Sequence, residues 1–285
     1  MSVFFSFAIV ASFMILCYGS VSPEFTGIFI GSIIIILLGL VDDFVELSPV
    51  AKFFGQTLSV AALIIFGIVT RIAAIGFLGN ILVTFFWMLA IINALNLLDI
   101  MDGLCCGITV IAAGAFLTVS FLSQSILSAV FCSCLIGASL GFLKYNLPPA
   151  KIYLGDTGSM FCGFILAAVA ITIDYAPLKR EIALATPILI LGLPIFDTLF
   201  VILMRFLHGR PVIRKSRDHF ALRLLASGLN KQKVLLVMYL FGLFFAVSAL
   251  LISKVSNQQG IIILIAIALI CAIALRKIGA IKIGE

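Results

Sequence analysis

The sequence predicts an all-α protein, a polytopic bundle of about ten membrane-spanning helices with a functional site at its cytoplasmic face. Hydrophobic residues make up 64% of the 285 residues and charged residues only 11%, against about 25% charged in an ordinary soluble domain. The apolar runs are too long and too free of charge for a single soluble core. Because lipid cannot satisfy backbone N–H and C=O groups, we expect these runs to be helices.

Ten apolar stretches approach the ~20 residues that cross a bilayer. They lie at residues 3–18, 25–41, 53–70, 81–98, 104–122, 126–143, 158–173, 182–204, 233–253 and 260–275. No linker or repeat separates them, so the sequence predicts one integral membrane domain over residues 1–285. The first stretch lacks the basic region and the small-residue cleavage site of a signal peptide, which favours a span.

The distribution of basic residues predicts the orientation. Alternating the loops between the two sides of the bilayer puts 14 of the 18 Lys and Arg residues on one side. Under the positive-inside rule this side is cytoplasmic. We expect a multi-pass protein of the cell inner (plasma) membrane with its active site on the cytoplasmic side. The net charge of +6 is thereby explained by topology, and no nucleic-acid partner is expected. The acidic motifs fall on the same side, although acids play no part in the assignment.

The first acidic motif, GLVDDFVELSPVAK, places Asp42 and Asp43 at the end of the second predicted span. Adjacent carboxylates repel each other, and each costs a few kcal/mol if it is drawn toward the bilayer. A solvated helix end with Lys52 snorkelling nearby is one interpretation. The other is a cation that holds both charges together, a role that suits Mg²⁺ with its oxygen ligands.

The second motif, NALNLLDIMDGL, has a polar residue at every third position: Asn93, Asn96, Asp99 and Asp102. On a helix this spacing predicts one slowly winding polar face. Asn93 and Asn96 should lie inside the membrane, where such a face must contact protein or a water-filled cavity. Interhelical hydrogen bonding is the alternative, but convergence on two carboxylates favours a site.

The third motif, KIYLGDTGSMFCG, is a loop of small residues that opens an apolar run, with Gly155 and Gly158 flanking Asp156. A loop of this kind presents free backbone N–H groups and the positive end of the helix dipole, which predicts an anion site. A simple Asp cap is the alternative. N–H groups for phosphate oxygens and an Asp for Mg²⁺ would suit a metal–phosphate substrate.

The fourth motif is the basic loop HGRPVIRKSRDHFALRLLASG. Contact with anionic lipid headgroups explains most of its charge. A basic lid over a diphosphate is the functional alternative. His219 is either a hydrogen-bond donor to substrate or a surface histidine, and the spacing does not decide between them.

Together these strings resemble the polyprenyl-phosphate N-acetylhexosamine-1-phosphate transferase family, of the glycosyltransferase family 4 type. The matching strings are DD at 42–43, NALNLLDIMDGL at 93–104, YLGDTGS at 153–159, PIFDT at 194–198 and RDHFALRL at 217–224. They follow the family's order over essentially the whole chain. The pattern is closer to the branch that uses simple UDP-N-acetylhexosamines, such as undecaprenyl-phosphate GlcNAc-1-phosphate transferases, than to the muramoyl-pentapeptide branch.

The resemblance implies transfer of a sugar-1-phosphate from a UDP-sugar to undecaprenyl phosphate or a similar lipid, with release of UMP, as the first membrane step of cell-envelope glycan synthesis. Asp156 and Asp99 match the family's site for Mg²⁺, which Mn²⁺ could also fill. Asp42 and Asp43 match a catalytic pair that handles the lipid phosphate. Substrate binding is implied for Lys52, Asn93, Asn96, Asp102, Tyr153, Arg217, His219 and Arg223. A homodimer is compatible with the family.

The sequence departs from the family pattern in two places. The family's last motif is rich in histidine, whereas Ala221 and Leu222 occupy the later histidine positions here. The chain also begins at what resembles the family's second span, without the first span and the Pro/Gly-rich loop that follows it.

Two other functional classes compete with this interpretation. Membrane prenyltransferases of the aromatic-acceptor type also hold Mg²⁺ and a diphosphate on Asp motifs, but their internal spacing is four residues, whereas Asp99 and Asp102 are three apart. An ion-coupled transporter would use intramembrane Asn and Asp near the midplane. The polar groups here gather at helix ends on one side, which favours an enzyme.

Overall fold

The computed structural model describes residues 3, 7–9, 12, 13, 22–175, 181–209, 211 and 218–281. Their regular structure is helical throughout, as predicted. The α-helices are α1 (Pro23–Val45), α2 (Pro49–Ile65), α3 (Gly76–Leu98), α4 (Leu104–Leu122), α5 (Ile126–Asn146), α6 (Gly155–Thr172), α7 (Thr186–Ile190), α8 (Gly192–Leu207), α9 (Phe220–Ala226), α10 (Lys231–Ile252) and α11 (Asn257–Gly279). Short 3₁₀ helices precede α3 at Ala73–Ile75 and α7 at Glu181–Ala185.

The prediction of a polytopic membrane bundle is confirmed. Seven helices of the described residues are long and apolar enough to cross a membrane, and a bent pair adds an eighth. The seven are α1, α3, α4, α5, α6, α10 and α11. Helix α2, with 17 residues, is shorter. The count of about ten stays a prediction, because the stretch 3–18 lies largely outside the described residues.

The apolar stretch predicted at 182–204 is helical, but it is not one continuous helix. Helix α7 ends at Ile190, α8 begins at Gly192, and the two segments are bent by 73°. Pro194 has no N–H to donate to the carbonyl of Ile190, and its ring would collide with that carbonyl. The string PILILGLPIF therefore contains the break.

Serine caps begin the first two helices. The Ser22 hydroxyl accepts from the N–H of Phe25 (3.2 Å), and the Ser48 hydroxyl accepts from the N–H of Ala51 (3.3 Å). In both helices a proline follows the serine, at a position where the missing N–H is not needed. The Ser48 cap begins α2 four residues before Lys52 and so helps to place that lysine.

The chain divides into two compact units, Met1–Pro177 (unit 1) and Leu178–Glu285 (unit 2). In unit 1, α6 is the central helix, since every residue from Thr157 to Ala170 is buried. Small residues allow close approach of its neighbours, as is common between membrane helices. A Cβ on Gly39 of α1 would lie 2.4 Å from the Cα of Thr157, and one on Gly163 would lie 2.8 Å from the Cα of Ile92 in α3.

In unit 2 the core is aromatic. The ring of Phe220, in the short helix α9, lies 5.4 Å from both Phe196 and Phe200 of α8 and 5.9 Å from Phe241 of α10. These contacts pack α9 against two longer helices. The prediction of one domain over residues 1–285 is not tested by this division and stays a prediction.

We expect Gly39→Ala to lower the melting temperature of the purified protein by about 2–10 °C, because the added methyl group meets backbone rather than a movable side chain. Gly114→Ala in α4 is the matched control, since a Cβ there meets nothing within 4 Å. The control should melt at or above the wild-type temperature, because Ala favours helix over Gly. Equal melting of the two variants would contradict the close α1–α6 contact.

Candidate active site

Four helix ends of unit 1 bring the acidic motifs together. The C-terminal ends of α1 and α3 meet the N-terminal ends of α2 and α6, so that residues 104 positions apart come into contact. The side chains that meet there are Asp42, Asp43, Lys52, Asn96 and Asp156.

Lys52 connects two of the carboxylates. Its Nζ donates to Oδ2 of Asp156 (2.8 Å) and forms an ion pair with Asp42. Asp42 is only 3% exposed, and its Oδ1 accepts from the backbone N–H of Leu47 (2.7 Å), which holds it against the turn after α1. The predicted grouping of Asp42, Lys52 and Asp156 is therefore present, and Lys52 binds protein carboxylates.

Asn96 orients the second oxygen of Asp156. Its Nδ2 donates to Oδ1 of Asp156 (2.8 Å) and to the hydroxyl of Ser159 (3.0 Å). The hydroxyl of Ser159 in turn donates to the carbonyl of Gly155 (2.9 Å). Each oxygen of Asp156 therefore has a fixed donor, one from α2 and one from α3.

The anion site predicted at the start of α6 is taken by Asp43, which corrects the expectation that its N–H groups are free. Oδ1 of Asp43 accepts from the N–H of Asp156 (2.8 Å), and Oδ2 accepts from the N–H (3.2 Å) and the hydroxyl (2.5 Å) of Thr157. Gly155 has φ +68°, and a Cβ there would lie 3.0 Å from Asp43. Glycine is therefore required for both conformation and space.

The continuous polar helix face predicted for NALNLLDIMDGL is wrong in its second half. Helix α3 ends at Leu98, and Asp99 caps it with a backbone N–H that bonds the carbonyl of Asn96. Asp102 lies in the following turn, which closes at Gly103 with φ +79°. Aspartate competes with the helical backbone for hydrogen bonds, and glycine enters the left-handed region at little cost.

Asp99 lies between the spanning helices α3 and α4 and is half-buried. Burial raises the pKa of its carboxyl to about 7, and the negative charges of Asp156, Asp43 and Asp102 contribute to the same shift. The structure therefore brings Asp99 into the carboxylate cluster, as predicted, and favours its neutral form.

Asn93 connects two helices. Its Nδ2 donates to Oε1 of Gln56 (2.8 Å) and to the carbonyl of Leu89 (2.8 Å), while Nε2 of Gln56 donates back to Oδ1 of Asn93 (3.3 Å). This reciprocal amide pair joins α2 to α3. For Asn93 the contacts therefore support the interhelical alternative, and its substrate-binding role stays a prediction.

Tyr153 precedes α6 and its side chain is largely exposed, at 77%. An exposed ring at the edge of the carboxylate cluster can stack against a flat ligand. Asp102 is half-buried, and its Oδ2 accepts from the backbone N–H of Ala150 (3.4 Å). Tyr153 and Asp102, both predicted to bind substrate, therefore belong to two loops that contact each other.

The histidine of the last motif lies in unit 2. Nδ1 of His219 is 2.8 Å from Oδ2 of Asp197 in α8, and Oδ1 of Asp197 accepts from the N–H of Phe220 (2.9 Å). Both members of the pair are nearly fully buried. Arg217 lies outside the described residues. The substrate-binding roles of His219 and Arg217 stay predictions.

Arg223 is also buried in unit 2. Its guanidinium donates to the carbonyls of Gly279 (2.8 Å) and Ile281 (2.6 Å) and to Oδ1 of Asp218 (2.9 Å). These contacts bind α9 to the C-terminal end of α11, where carbonyl groups lack helical partners. They support a structural role, and the predicted contact of Arg223 with substrate stays a prediction.

Sequence reasoning missed two residues that support the site in unit 1, Gln56 and Ser159, and the partner of His219 in unit 2, Asp197. Gln56 follows Lys52 by four positions and Ser159 follows Asp156 by three, so helical spacing could have placed each beside its acidic or basic neighbour. Asp197 lies in the string PIFDT, but no periodicity connects it with a histidine 22 residues later.

The predicted divalent cation stays a prediction for this site. No group of three or more His, Cys, Asp or Glu side chains in the described part of the chain is arranged to hold a metal by itself. Mg²⁺, however, is usually held by one or two carboxylates together with water and substrate phosphates. The pKa of Asp99 is raised first by burial and then by the negative charges of Asp156, Asp43 and Asp102, and a cation near these carboxylates would offset the second of these effects.

We expect Asp99→Asn to raise the melting temperature of metal-free protein, and to raise it more at about pH 8 than at about pH 5. The pKa of Asp99 is raised from 3.8 to about 7, so the folded protein binds more protons in this window and loses stability as pH rises through it. Asparagine removes that loss. Melting curves with a chelator test this, with the exposed Asp174→Asn as control. A pH-independent difference would contradict it.

Comparison with known proteins identifies the family of this chain. Residues 25–174 match the sequence model of glycosyl transferase family 4. The chain is 36% identical over 239 residues to a probable undecaprenyl-phosphate N-acetylglucosaminyl 1-phosphate transferase of Bacillus subtilis, covering 80% of this chain and 66% of the relative. It is 32% identical over 275 residues to a phospho-N-acetylmuramoyl-pentapeptide-transferase of Listeria welshimeri, covering 86% and 81%.

A third relative is the decaprenyl-phosphate N-acetylglucosaminephosphotransferase of Mycobacterium tuberculosis, 31% identical over 252 residues, which cover 77% of this chain and 61% of the relative. The chain thus spans about two thirds of the Bacillus and Mycobacterium relatives and four fifths of the Listeria relative. The predicted family is confirmed, and this multi-pass membrane chain belongs to glycosyl transferase family 4.

Proposed function

We propose that the protein transfers an N-acetylhexosamine 1-phosphate from a UDP-sugar to a polyprenyl phosphate such as undecaprenyl phosphate, and releases UMP. The relatives from Bacillus, Listeria and Mycobacterium carry names of polyprenyl-phosphate or related sugar-phosphate transferases. The product would be the first lipid-linked sugar of a cell-envelope glycan.

The observation that carries the proposal is the fixed geometry of Asp156. Its two oxygens accept from Lys52 and Asn96, which belong to different helices, and its backbone N–H is bound by Asp43. Phosphoryl transfer needs charge neutralisation and alignment more than covalent chemistry. A carboxylate and an ammonium held in this way at a helix end can neutralise charge on a substrate with two anionic groups and can align those groups.

The reaction balances without an added base. An oxygen of the lipid phosphate attacks the phosphorus that bears the sugar, a new P–O bond forms, and the bond from that phosphorus to the bridging oxygen breaks. UMP leaves with the bridging oxygen. The second pKa of a phosphate monoester lies near 6, so the attacking group is already an anion at neutral pH.

Asp156 and Asp99 would hold Mg²⁺, or Mn²⁺, which would neutralise charge on the diphosphate as the leaving UMP gains it. Lys52 would exchange part of its contact with Asp156 for an oxygen of the lipid phosphate. Asp42 would keep the Lys52 ammonium near that position through their ion pair. Asn96 would keep Asp156 in one orientation throughout.

The lipid substrate requires that the site open toward a membrane surface. The positive-inside distribution of Lys and Arg supports the cytoplasmic side of the inner membrane, where UDP-sugars are available. The exposed Tyr153 ring would stack on the uracil, and Asp102 would accept from the nucleoside.

We expect the purified protein to release UMP only when polyprenyl phosphate, a divalent cation and a suitable UDP-sugar are all present. The measurement is UMP formation across a panel of UDP-N-acetylhexosamines, with Mg²⁺ or Mn²⁺ and with a chelator. Activity that survives the chelator would contradict the metal assignment. Absence of UMP with every sugar would contradict the proposed function.

We expect Asp156→Asn to lower the rate of UMP release on the order of 100-fold or more, because a neutral amide cannot hold the cation or the Lys52 ammonium. Asp174→Asn is the matched control, an exposed carboxylate near the other end of α6, about 25 Å away along the helix. Rates of both variants at saturating substrate, together with their melting temperatures, separate chemistry from folding. Full activity of Asp156→Asn would contradict the assignment.

A further inference from the structure

Asn146, the last residue of α5, joins two loops of unit 1. It is 4% exposed. Its Oδ1 accepts from the backbone N–H of Gly103 (2.9 Å), and its Nδ2 donates to the backbone carbonyl of Ile152 (2.9 Å). Both functions of one buried carboxamide are therefore used, and they connect a residue 43 positions earlier in the sequence with one 6 positions later.

Each partner of Asn146 is next to a residue that is proposed to bind the nucleotide. Gly103 follows Asp102, and Ile152 precedes Tyr153. The N–H of Ala150 also donates to Oδ2 of Asp102 (3.4 Å), which joins the same two loops a second time. The carboxylate and the aromatic ring are thus separated by a distance that the Asn146 side chain helps to fix.

The bridge needs an amide in particular. Gly103 presents a donor and Ile152 an acceptor, so the side chain between them must accept at one end and donate at the other. Aspartate would keep the acceptor for Gly103 but would place an oxygen against the carbonyl of Ile152. Alanine would remove this partner from both backbone groups, which is costly above all for the N–H of Gly103 because that hydrogen bond is buried.

We propose that Asn146 is a positioning residue for the nucleotide half of the substrate, holding Asp102 and Tyr153 at the spacing that a uridine requires. The inference rests on the proposed function. A uracil ring needs a flat face to stack on and an acceptor for its N–H or for a ribose hydroxyl. Tyr153 and Asp102 supply these groups from separate loops, and Asn146 holds the loops in register.

The structure offers a control of the same chemical type. Asn80, near the start of α3, is also buried, and it bonds the N–H of Ile72 (2.8 Å) and the carbonyls of Ile72 (3.0 Å) and Gly76 (2.7 Å). It lies about 24 Å along the helix from Asn96 and the site. Asn80→Ala should therefore lower stability without acting on nucleotide binding.

The test is UMP binding by titration calorimetry with Mg²⁺, for the full chain in detergent, together with steady-state kinetics. Asn146→Ala should weaken UMP binding about tenfold or more, as expected for two lost hydrogen bonds. It should raise the KM for UDP-sugar by a similar factor, with the KM for polyprenyl phosphate unchanged and kcat within about threefold. Asn146→Asp should show the same pattern more weakly, and Asn80→Ala should bind UMP as the wild type does.

Wild-type affinity for UMP in folded Asn146→Ala would overturn the inference, as would equal weakening in Asn146→Ala and Asn80→Ala. If Asn146→Ala does not fold, Asn146→Asp decides by the same criteria. A wild-type protein that neither binds UMP nor releases it would instead overturn the proposed function. An active wild type with unaffected Asn146 variants would overturn only the role of Asn146.

Discussion

Lys52 lies between two carboxylates, Asp42 and Asp156, that would otherwise repel each other at the ends of two helices. Two like charges 4 Å apart repel by about 4 kcal/mol near a protein surface. The three residues come from α1, α2 and α6, so this ionic contact requires all three helix ends to meet. The adjoining residues of unit 1, including Asn96 and Asp43, complete the hydrogen bonds that the two carboxylates and the start of α6 leave open.

Close helix packing makes that convergence possible. The central helix α6 is buried along nearly its whole length, and glycines at 39 and 163 let α1 and α3 approach its backbone. Because the hydrophobic effect between helices is weak in lipid, contact of this kind, together with interhelical hydrogen bonds such as Asn93–Gln56, stabilises the bundle. Packing and site geometry are thus set by the same helices.

Much of the fold could be predicted from sequence because a membrane leaves the backbone few choices. The span 104–122 matches α4 residue for residue. A spacing of three could not show where a helix ends, so Asp99 and Asp102 were assigned to a helix face that stops at Leu98. The acceptor for the N–H groups at the start of α6 is set by tertiary contact. The sequence alone therefore could not identify Asp43 as that acceptor.

The attachment of Asp43 to the first turn of α6 has a mechanical consequence. Asp43, near the end of α1, accepts one hydrogen bond from the N–H of Asp156 and two from Thr157, so the end of α1 is fastened to the first turn of α6 beside the Asp42 and Asp156 carboxylates. The two carboxylates are therefore held close together by contacts that do not involve Lys52. A divalent ion bound at Asp156, as proposed above, would compete with the Lys52 ammonium for the same carboxylate oxygen, so loss of one cation would favour binding of the other.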